Sequence, residues 1–314
     1  MVTVQSISKY DKRHPTAITI GTFDGVHIGH RKILERLIKN AAINHLKSTV
    51  LTFFPHPRMV LQKDAGIKLL NTIDEKTEIL RGLGLEQLII HPFTKEFSRL
   101  SATEFVRDIL VNDLKTKKII IGYDHRFGRN RNANINDLKA FGNALDFEVE
   151  EISAQEIDEV SVSSTKIRRA LEDGDIPTAN AYLGYSYMLT GKIKSGKGLG
   201  RQIGFPTANL FIEEDYKLIP KNGAYGVQSD LCGKKVFGMM NIGFNPTVSG
   251  DASTSTGRKE KVEIHFFDFD QDLYEKRIQI DILHRLRDEH KFGSVDALKA
   301  QLQKDRLKSL ELIS

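Results

Sequence analysis

Cysteine is almost missing from this chain. Cys232 is the single one among 314 residues, so no intrachain disulfide can form and no thiolate zinc cluster can be assembled. Proline is scarce as well, with 8 residues spread along the chain, which excludes collagen-like and proline-rich disordered classes. Long apolar runs are absent: nothing approaches the roughly 18 to 20 residues that a membrane-spanning helix needs. The segment after Met1 lacks an apolar secretory core, and with the lone cysteine this gives the expectation of a cytoplasmic protein without a membrane partner. Neither sign of charge dominates, since 46 Lys and Arg against 41 Asp and Glu leave +5. Basic residues are interleaved with acids, as in Arg285 to Lys291, and no block of like charge suits a nucleic-acid backbone. Small anionic ligands are favoured, and no nucleic-acid partner is expected.

What the chain does have is 40% apolar residues over a length that, at roughly 100 to 200 residues per domain, predicts about two domains. From Ala17 to about Leu183, short apolar runs alternate with helical patterns. Ala17 to Ile20, Val50 to Phe53, Leu88 to Ile90 and Ile119 to Ile121 read as buried parallel strands. Between them, Ile33, Leu34, Leu37, Ile38, Ala41 and Ala42 share one helical face, and Thr72 to Glu75 and Ser101 to Glu104 form capping-box starts. The pattern predicts an α/β domain with a doubly wound parallel sheet, in which ligands sit beyond the carboxyl ends of strands. The loops after Ile20, Phe53 and Ile121 are therefore where chemistry is expected. Beyond Tyr187 the segments become short and alternating, and 13 of the 24 glycines fall there. Met188 to Ile193, Ala224 to Gln228, Val236 to Asn241, Val262 to Phe267 and Ile278 to Leu283 predict a small antiparallel β-barrel, closed by a helix near Ser294 to Lys304. The division expected is 1–185 and 186–314.

In the first half, Gly21-Thr22-Phe23-Asp24-Gly25-Val26-His27-Ile28-Gly29-His30 leads from a strand into a helix. Glycines let backbone amides approach an anion, the helix start adds partial positive charge, and His27 and His30 point to one side. The same residues also suit a plain helix cap and tight turn. Ser163-Ser164-Thr165-Lys166-Ile167-Arg168 is a hydroxyl-rich helix start whose donors suit polyphosphate, or simply an N-cap. Gly122-Tyr123-Asp124-His125-Arg126-Phe127-Gly128 brackets polar and aromatic residues that a core does not need, which marks a functional loop. No Asp or Glu stands beside His27 and His30 at a usual helical ligand spacing, so no permanently bound zinc is expected.

In the second half, the P-loop spacing of Gly191 to Lys197 lacks its Ser or Thr and its strand-to-helix context. The informative stretch is Gly196-Lys197-Gly198-Leu199-Gly200-Arg201, followed by Gly204-Phe205-Pro206-Thr207-Ala208-Asn209. Three glycines and two cations suit polyphosphate, although a flexible hairpin would read the same way. Thr207 and Asn209, two apart on an extended segment, present oxygens to one side for magnesium. Glu263 and His265 share one face of a strand whose other face is Val262, Ile264 and Phe266. A carboxylate there suits either a general base or a solvated strand face.

These motifs carry a family resemblance over the whole chain. Gly21 to His30 and Ser163 to Arg168 resemble the two signatures of HIGH-type nucleotidyltransferases. Leu51 to Pro57 and Gly122 to Gly128 narrow the match to the FMN adenylyltransferase module of bacterial bifunctional riboflavin kinase/FAD synthetases. Gly196 to Asn209, Asn241 to Thr247 and the segment from Glu263 resemble the riboflavin kinase signatures of that family. The resemblance implies a nucleotidyltransferase domain followed by a riboflavin kinase barrel, with riboflavin, FMN and ATP as small-molecule substrates and magnesium arriving with ATP. It further implies that His27, His30 and Arg168 stabilise ATP phosphates, with Gly21, Phe23, Asp24, Gly25, Gly29, Ser164 and Thr165 forming the nucleotide cradle. Phe54, Pro57 and Asp124 would border the flavin there. In the barrel it implies Glu263 as base for the ribityl hydroxyl, Gly196, Lys197, Gly198, Gly200 and Arg201 around ATP, Thr207 and Asn209 on magnesium, and Arg287 and Glu289 beside the flavin. Two departures stand out: His125 replaces a Phe common in the family, and Glu275 stands where relatives often carry Gly.

Overall fold

The computed structural model describes residues 1–62, 66–153, 156, 162–196, 199–244 and 260–313. Lys197, Gly198 and the Asn245 to Thr247 part of the second kinase segment lie outside the described residues. The chain divides into two compact units, Met1–Ser164 and Thr165–Ser314.

The first unit is built on six strands, β1 (Val2–Val4), β2 (Thr16–Ile20), β3 (Lys47–Phe53), β4 (Gln87–His91), β5 (Thr116–Gly122) and β6 (Glu148–Ile152). They pair in the order β1-β4-β3-β2-β5-β6, every pairing parallel. The four apolar runs became the central strands because a parallel sheet is covered on both faces. On one face Leu34, Leu37 and Ala41 of the helix Ile28–Ile43 and Leu80 of the helix Ile73–Gly82 pack against Ala17, Val50, Leu88 and Ile120. On the other, Phe105, Val106 and Leu110, with Leu138 of the helix Ile135–Leu145, cover Ile18, Leu51, Ile89 and Ile119. Both expected capping boxes form, at Thr72 with Glu75 and at Ser101 with Glu104. β2 lies between β3 and β5, so the chain order reverses about it, and the loop after Ile20 occupies the switch point.

The second unit closes six further strands into a barrel. These are β7 (Tyr187–Lys194), β8 (Ala208–Phe211), β9 (Gly223–Leu231), β10 (Lys234–Phe244), β11 (Glu260–Phe266) and β12 (Arg277–Arg287), ordered β10-β11-β8-β7-β12-β9 and antiparallel throughout. Gly191 sits inside β7 and not in a phosphate loop. The closing helix runs Val295–Ile313, longer than the periodicity suggests. Its extension is held by a buried ion pair: Asp305, 3% exposed, takes a forked pair from Arg287 at 2.8 to 3.1 Å. A further helix, Ile176–Leu183, starts with Pro177 in its first turn, and its Asn180 donates to the Ile282 carbonyl at 3.0 Å and accepts from the Tyr187 amide at 2.7 Å.

Glu275, in the turn before β12, holds a left-handed backbone at φ 58° while its amide donates to the Ile193 carbonyl at 2.9 Å. A side chain in that region costs about 1 to 2 kcal/mol, a cost that glycine at this position would avoid. Part of the gain is returned through the freer unfolded chain. Glu275→Gly should therefore raise barrel stability by about 0.5 kcal/mol, read as a higher urea midpoint; a lower midpoint would show that Glu275 makes a contribution of its own.

Candidate active sites

The loop between β2 and the helix Ile28–Ile43 is pinned residue by residue. The Gly21 amide donates to the Leu51 carbonyl at 3.1 Å, and the Thr22 carbonyl accepts from both Thr52 Oγ1 at 3.2 Å and Lys76 Nζ at 2.7 Å. Asp24, buried, accepts from the Leu70 amide at 2.9 Å, while its own carbonyl takes the Ser164 hydroxyl at 2.8 Å. Phe23, Gly25 and Val26 all hold positive φ, at 45°, 87° and 37°. Two of these are not glycine, so the turn stores strain that the surrounding hydrogen bonds maintain, as functional loops often do.

This turn delivers His27 and His30. His27 is the helix cap, its Nδ1 accepting from the His30 amide at 3.4 Å, as the capping reading of this motif expects. The imidazoles stack with centroids 3.7 Å apart and planes 19° off parallel, and Phe23 leans on His30 at 5.0 Å. Burial depresses His27 from 6.5 to about 4. His30 falls well below its ordinary value through burial first, then through the nearby His27 and Lys76. Both rings are neutral at pH 7. His30 Nδ1 is sealed from solvent and has no hydrogen-bond partner among the described residues, a cost of roughly 1 to 3 kcal/mol that an arriving hydrogen-bond partner would relieve.

Neighbouring loops flank the turn. Phe54 follows β3, and Pro57 opens the short helix Pro57–Leu61, capped by His56 Nδ1 on the Arg58 amide at 3.1 Å. Asp124 is exposed after β5. An aromatic series runs from Phe53 through Phe97, Phe105 and Phe127 to His125, with successive centroids 5.5 to 6.1 Å apart. Gly128 has φ 72°, and a Cβ there would meet the Ala102 amide nitrogen at 2.9 Å, so the bend after Phe127 requires glycine. Ser164 opens the helix Ser164–Asp173; Thr165 and Arg168 follow on it, within the second unit.

In the barrel, strand register assembles the other group. Direct cross-strand partners run Lys194, Asn209, Glu263, Asn241, Ala224 and Arg287, one residue from each strand. Directly paired residues project to one face, so Asn209 and Asn241 flank the Glu263 carboxylate. Val262, Ile264 and Phe266 are buried on the opposite face, as the alternation required. Glu263 Oε1 pairs with Lys261 at 2.7 Å. Thr207, exposed, precedes β8 by one residue. Gly196 leaves room for Asn209, whose carboxamide would collide with any Cβ at that position, and a Cβ at Gly243 would strike the Glu289 carboxylate. Glu289 is thereby placed against β10 near Asn241. Gly200 and Arg201 lie in the short helix Leu199–Gln202. Arg287 faces Asp305 and lies 5.7 Å from the Phe292 ring centroid. The hydroxyl, carboxamide and carboxylate oxygens of Thr207, Asn209 and Glu263 are hard donors of the kind magnesium takes.

Comparison with known proteins decides the family. The FAD synthetase family profile matches residues 9–166 and the riboflavin kinase profile residues 183–313. The chain is 36% identical to a bifunctional riboflavin kinase/FMN adenylyltransferase of Buchnera aphidicola subsp. Schizaphis graminum, over 92% of this chain and 91% of the relative. The Listeria monocytogenes protein of the same name is 36% identical over 92% and 89%, and that of Escherichia coli K12 35% over 94% and 91%. The chain belongs to the bifunctional riboflavin kinase/FMN adenylyltransferase family. Its fold also matches a crystal structure named as a macrolide-efflux protein from Streptococcus pneumoniae, with TM-score 0.86, 30% identity and 98% of each chain covered. The efflux name belongs to that protein; among the described residues here no helix is long and apolar enough to cross a membrane.

Within this family member, two residues near the sites escaped the sequence reading. Lys76 stands in a charged run, Asp74 to Glu78, that reads as a solvated helix face, yet it is 4% exposed. Asn241 was visible only as part of a family segment, because its place beside Glu263 depends on register. His125 is pushed by burial to about 4 and is an uncharged ring at pH 7.

The depressed His27 makes a pH prediction. Above 6.5 it is neutral folded or unfolded; as pH falls from 6.5 towards about 4 only the unfolded chain gains the proton, so stability is lost across that window and levels below it. His27→Asn keeps a capping side chain and removes this linkage. Between pH 7 and 4.5 the variant's first unit should lose about 2 kcal/mol less than the parent's, measured by hydrogen exchange of β2 and β3 amides. Equal losses would refute the burial account of His27.

Proposed function

We infer that this chain makes FAD from riboflavin in two ATP-consuming steps, using residues 1–185 for adenylyl transfer and 186–314 for the kinase step. The protein is a bifunctional enzyme: it phosphorylates riboflavin to FMN and adenylylates FMN to FAD with release of pyrophosphate. The observation that carries the assignment is the coexistence of both profiles, each over a unit with its own assembled polar group.

The kinase step joins the ribityl 5′-hydroxyl oxygen to the γ-phosphorus of ATP, breaks the bond to the β-phosphate oxygen and releases ADP. Glu263 accepts the hydroxyl proton, and Asn209 and Asn241 beside it support its orientation. Thr207 and Asn209 would hold the magnesium that accompanies ATP, whose charge eases phosphoryl transfer. Gly196, Lys197, Gly198, Gly200 and Arg201 would close on the nucleotide, with Arg287 and Glu289 beside the flavin.

Adenylyl transfer needs no protein base, because the FMN phosphate is already an anionic nucleophile for the α-phosphorus, and the bond to the departing pyrophosphate breaks. Positioning and charge neutralisation carry that step. His27 and His30 would donate to the phosphates from the pinned turn formed by Gly21, Phe23, Asp24, Gly25 and Gly29. Ser164, Thr165 and Arg168 would help hold the triphosphate, and Phe54, Pro57 and Asp124 would border the flavin. The composition and the lack of a membrane-crossing helix among the described residues support a cytoplasmic location.

Separation of the two activities tests the reading. Glu263→Ala should abolish FMN formation while FAD formation from supplied FMN continues, and His30→Ala should do the reverse, with losses of roughly 100-fold or more. Chromatography of riboflavin, FMN and FAD after addition of ATP and magnesium reads both. Near-normal riboflavin phosphorylation in Glu263→Ala would overturn the second-site assignment.

A further inference from the structure

Two substrates that both carry phosphate must meet beside His27 and His30, yet both imidazoles are neutral at pH 7. Arg168 and the magnesium that accompanies ATP would offset part of the phosphate charge, and a cation fixed beneath the turn would offset more. Among the described residues of the first unit, Lys76 is the one buried lysine or arginine. Lysine is almost never buried unless it is paired or has work to do.

Lys76 is placed for that work. It sits in the first turns of the helix Ile73–Gly82, fixed by the Thr72 and Glu75 capping box, and reaches under the signature turn to donate to the Thr22 carbonyl at 2.7 Å. Burial lowers the Lys76 pKa from its ordinary value and the Asp24 carboxylate raises it, favouring the ammonium; Lys76 in turn lowers His30, so the group lies within electrostatic range of both. An ammonium has three N–H donors, and one hydrogen bond is formed among the described residues. Stability alone does not explain the arrangement, since a buried charge costs more than a methionine of similar size would.

We propose that Lys76 is a positioning residue of adenylyl transfer: a fixed buried cation that holds the Thr22 carbonyl beneath the turn and supplies the positive field in which two phosphate-bearing substrates are brought together at His27 and His30. The proposal rests on the reading of the first unit as the FMN adenylyltransferase. A preorganised charge inside a low-dielectric site acts more strongly than one in water and needs no rearrangement as pyrophosphate charge develops.

Two variants separate charge from scaffold. Lys76→Gln keeps a donor for Thr22 and drops the charge, whereas Lys76→Met drops both. For the full-length protein the expected result is a loss of roughly 10- to 100-fold in kcat for FAD formation from FMN in both variants, with riboflavin phosphorylation unchanged. Histidine NMR should show His30 titrating at higher pH than in the parent, which establishes that the Lys76 charge reaches the site. Wild-type FAD synthesis by Lys76→Gln with an unchanged His30 titration would overturn the proposal. So would an activity loss that merely tracks unfolding of the first unit in both variants. Absence of FAD formation by the parent protein would instead sink the functional reading itself.

Discussion

Backbone hydrogen bonding between strands is the constraint on which both candidate sites depend. Buried amides and carbonyls must pair, and the pairings that satisfy them fix which side chains become neighbours. In the first unit, parallel pairing of β2 with β3 and β5 sets three loops side by side at the switch point and leaves the Thr22 to Val26 turn to be completed by side chains. In the barrel, antiparallel register sets Asn209, Glu263 and Asn241 in one row. A slip of one residue in β11 would exchange Glu263 for Val262 or Ile264 and turn the carboxylate to the other face.

The two sites use charge differently. Around Glu263 the polar groups are partly exposed, and an accompanying cation can be accommodated by oxygen donors. Around His27 and His30 the groups are buried and both imidazoles are neutral at pH 7, with Asp24 and Lys76 among the described ionisable groups close by. Burial that strips charge from the histidines also strengthens whatever charge remains. Neutral imidazoles retain N–H donors and do not hold a departing pyrophosphate as strongly as imidazolium would.

Most of the fold was legible because it rests on period and burial. The apolar runs Ala17 to Ile20 and Ile119 to Ile121 can only be central parallel strands, and the capping boxes at Thr72 and Ser101 mark helix starts locally. The edge strands Val2–Val4 and Glu148–Ile152 were not visible: they are short, polar on one side and defined by their partners. The signature turn was readable because glycine and histidine at fixed spacing carry their own geometry. Lys76 was not, since nothing in Asp74 to Glu78 distinguishes a lysine facing water from one turned beneath a loop 54 residues away. The Arg287 and Asp305 pair was hidden for the same reason, its partners being joined by packing of the last helix.

The central claim is that one chain holds two independent nucleotide sites, one within residues 1–185 and one within residues 186–314. Calorimetric titration of the intact protein with a non-hydrolysable ATP analogue and magnesium tests it most directly. The account predicts two equivalents per chain, one lost when His27 and His30 are both replaced by alanine and the other lost when Thr207 and Asn209 are. A single equivalent in the parent protein, or loss of all binding from either pair of substitutions, would contradict it.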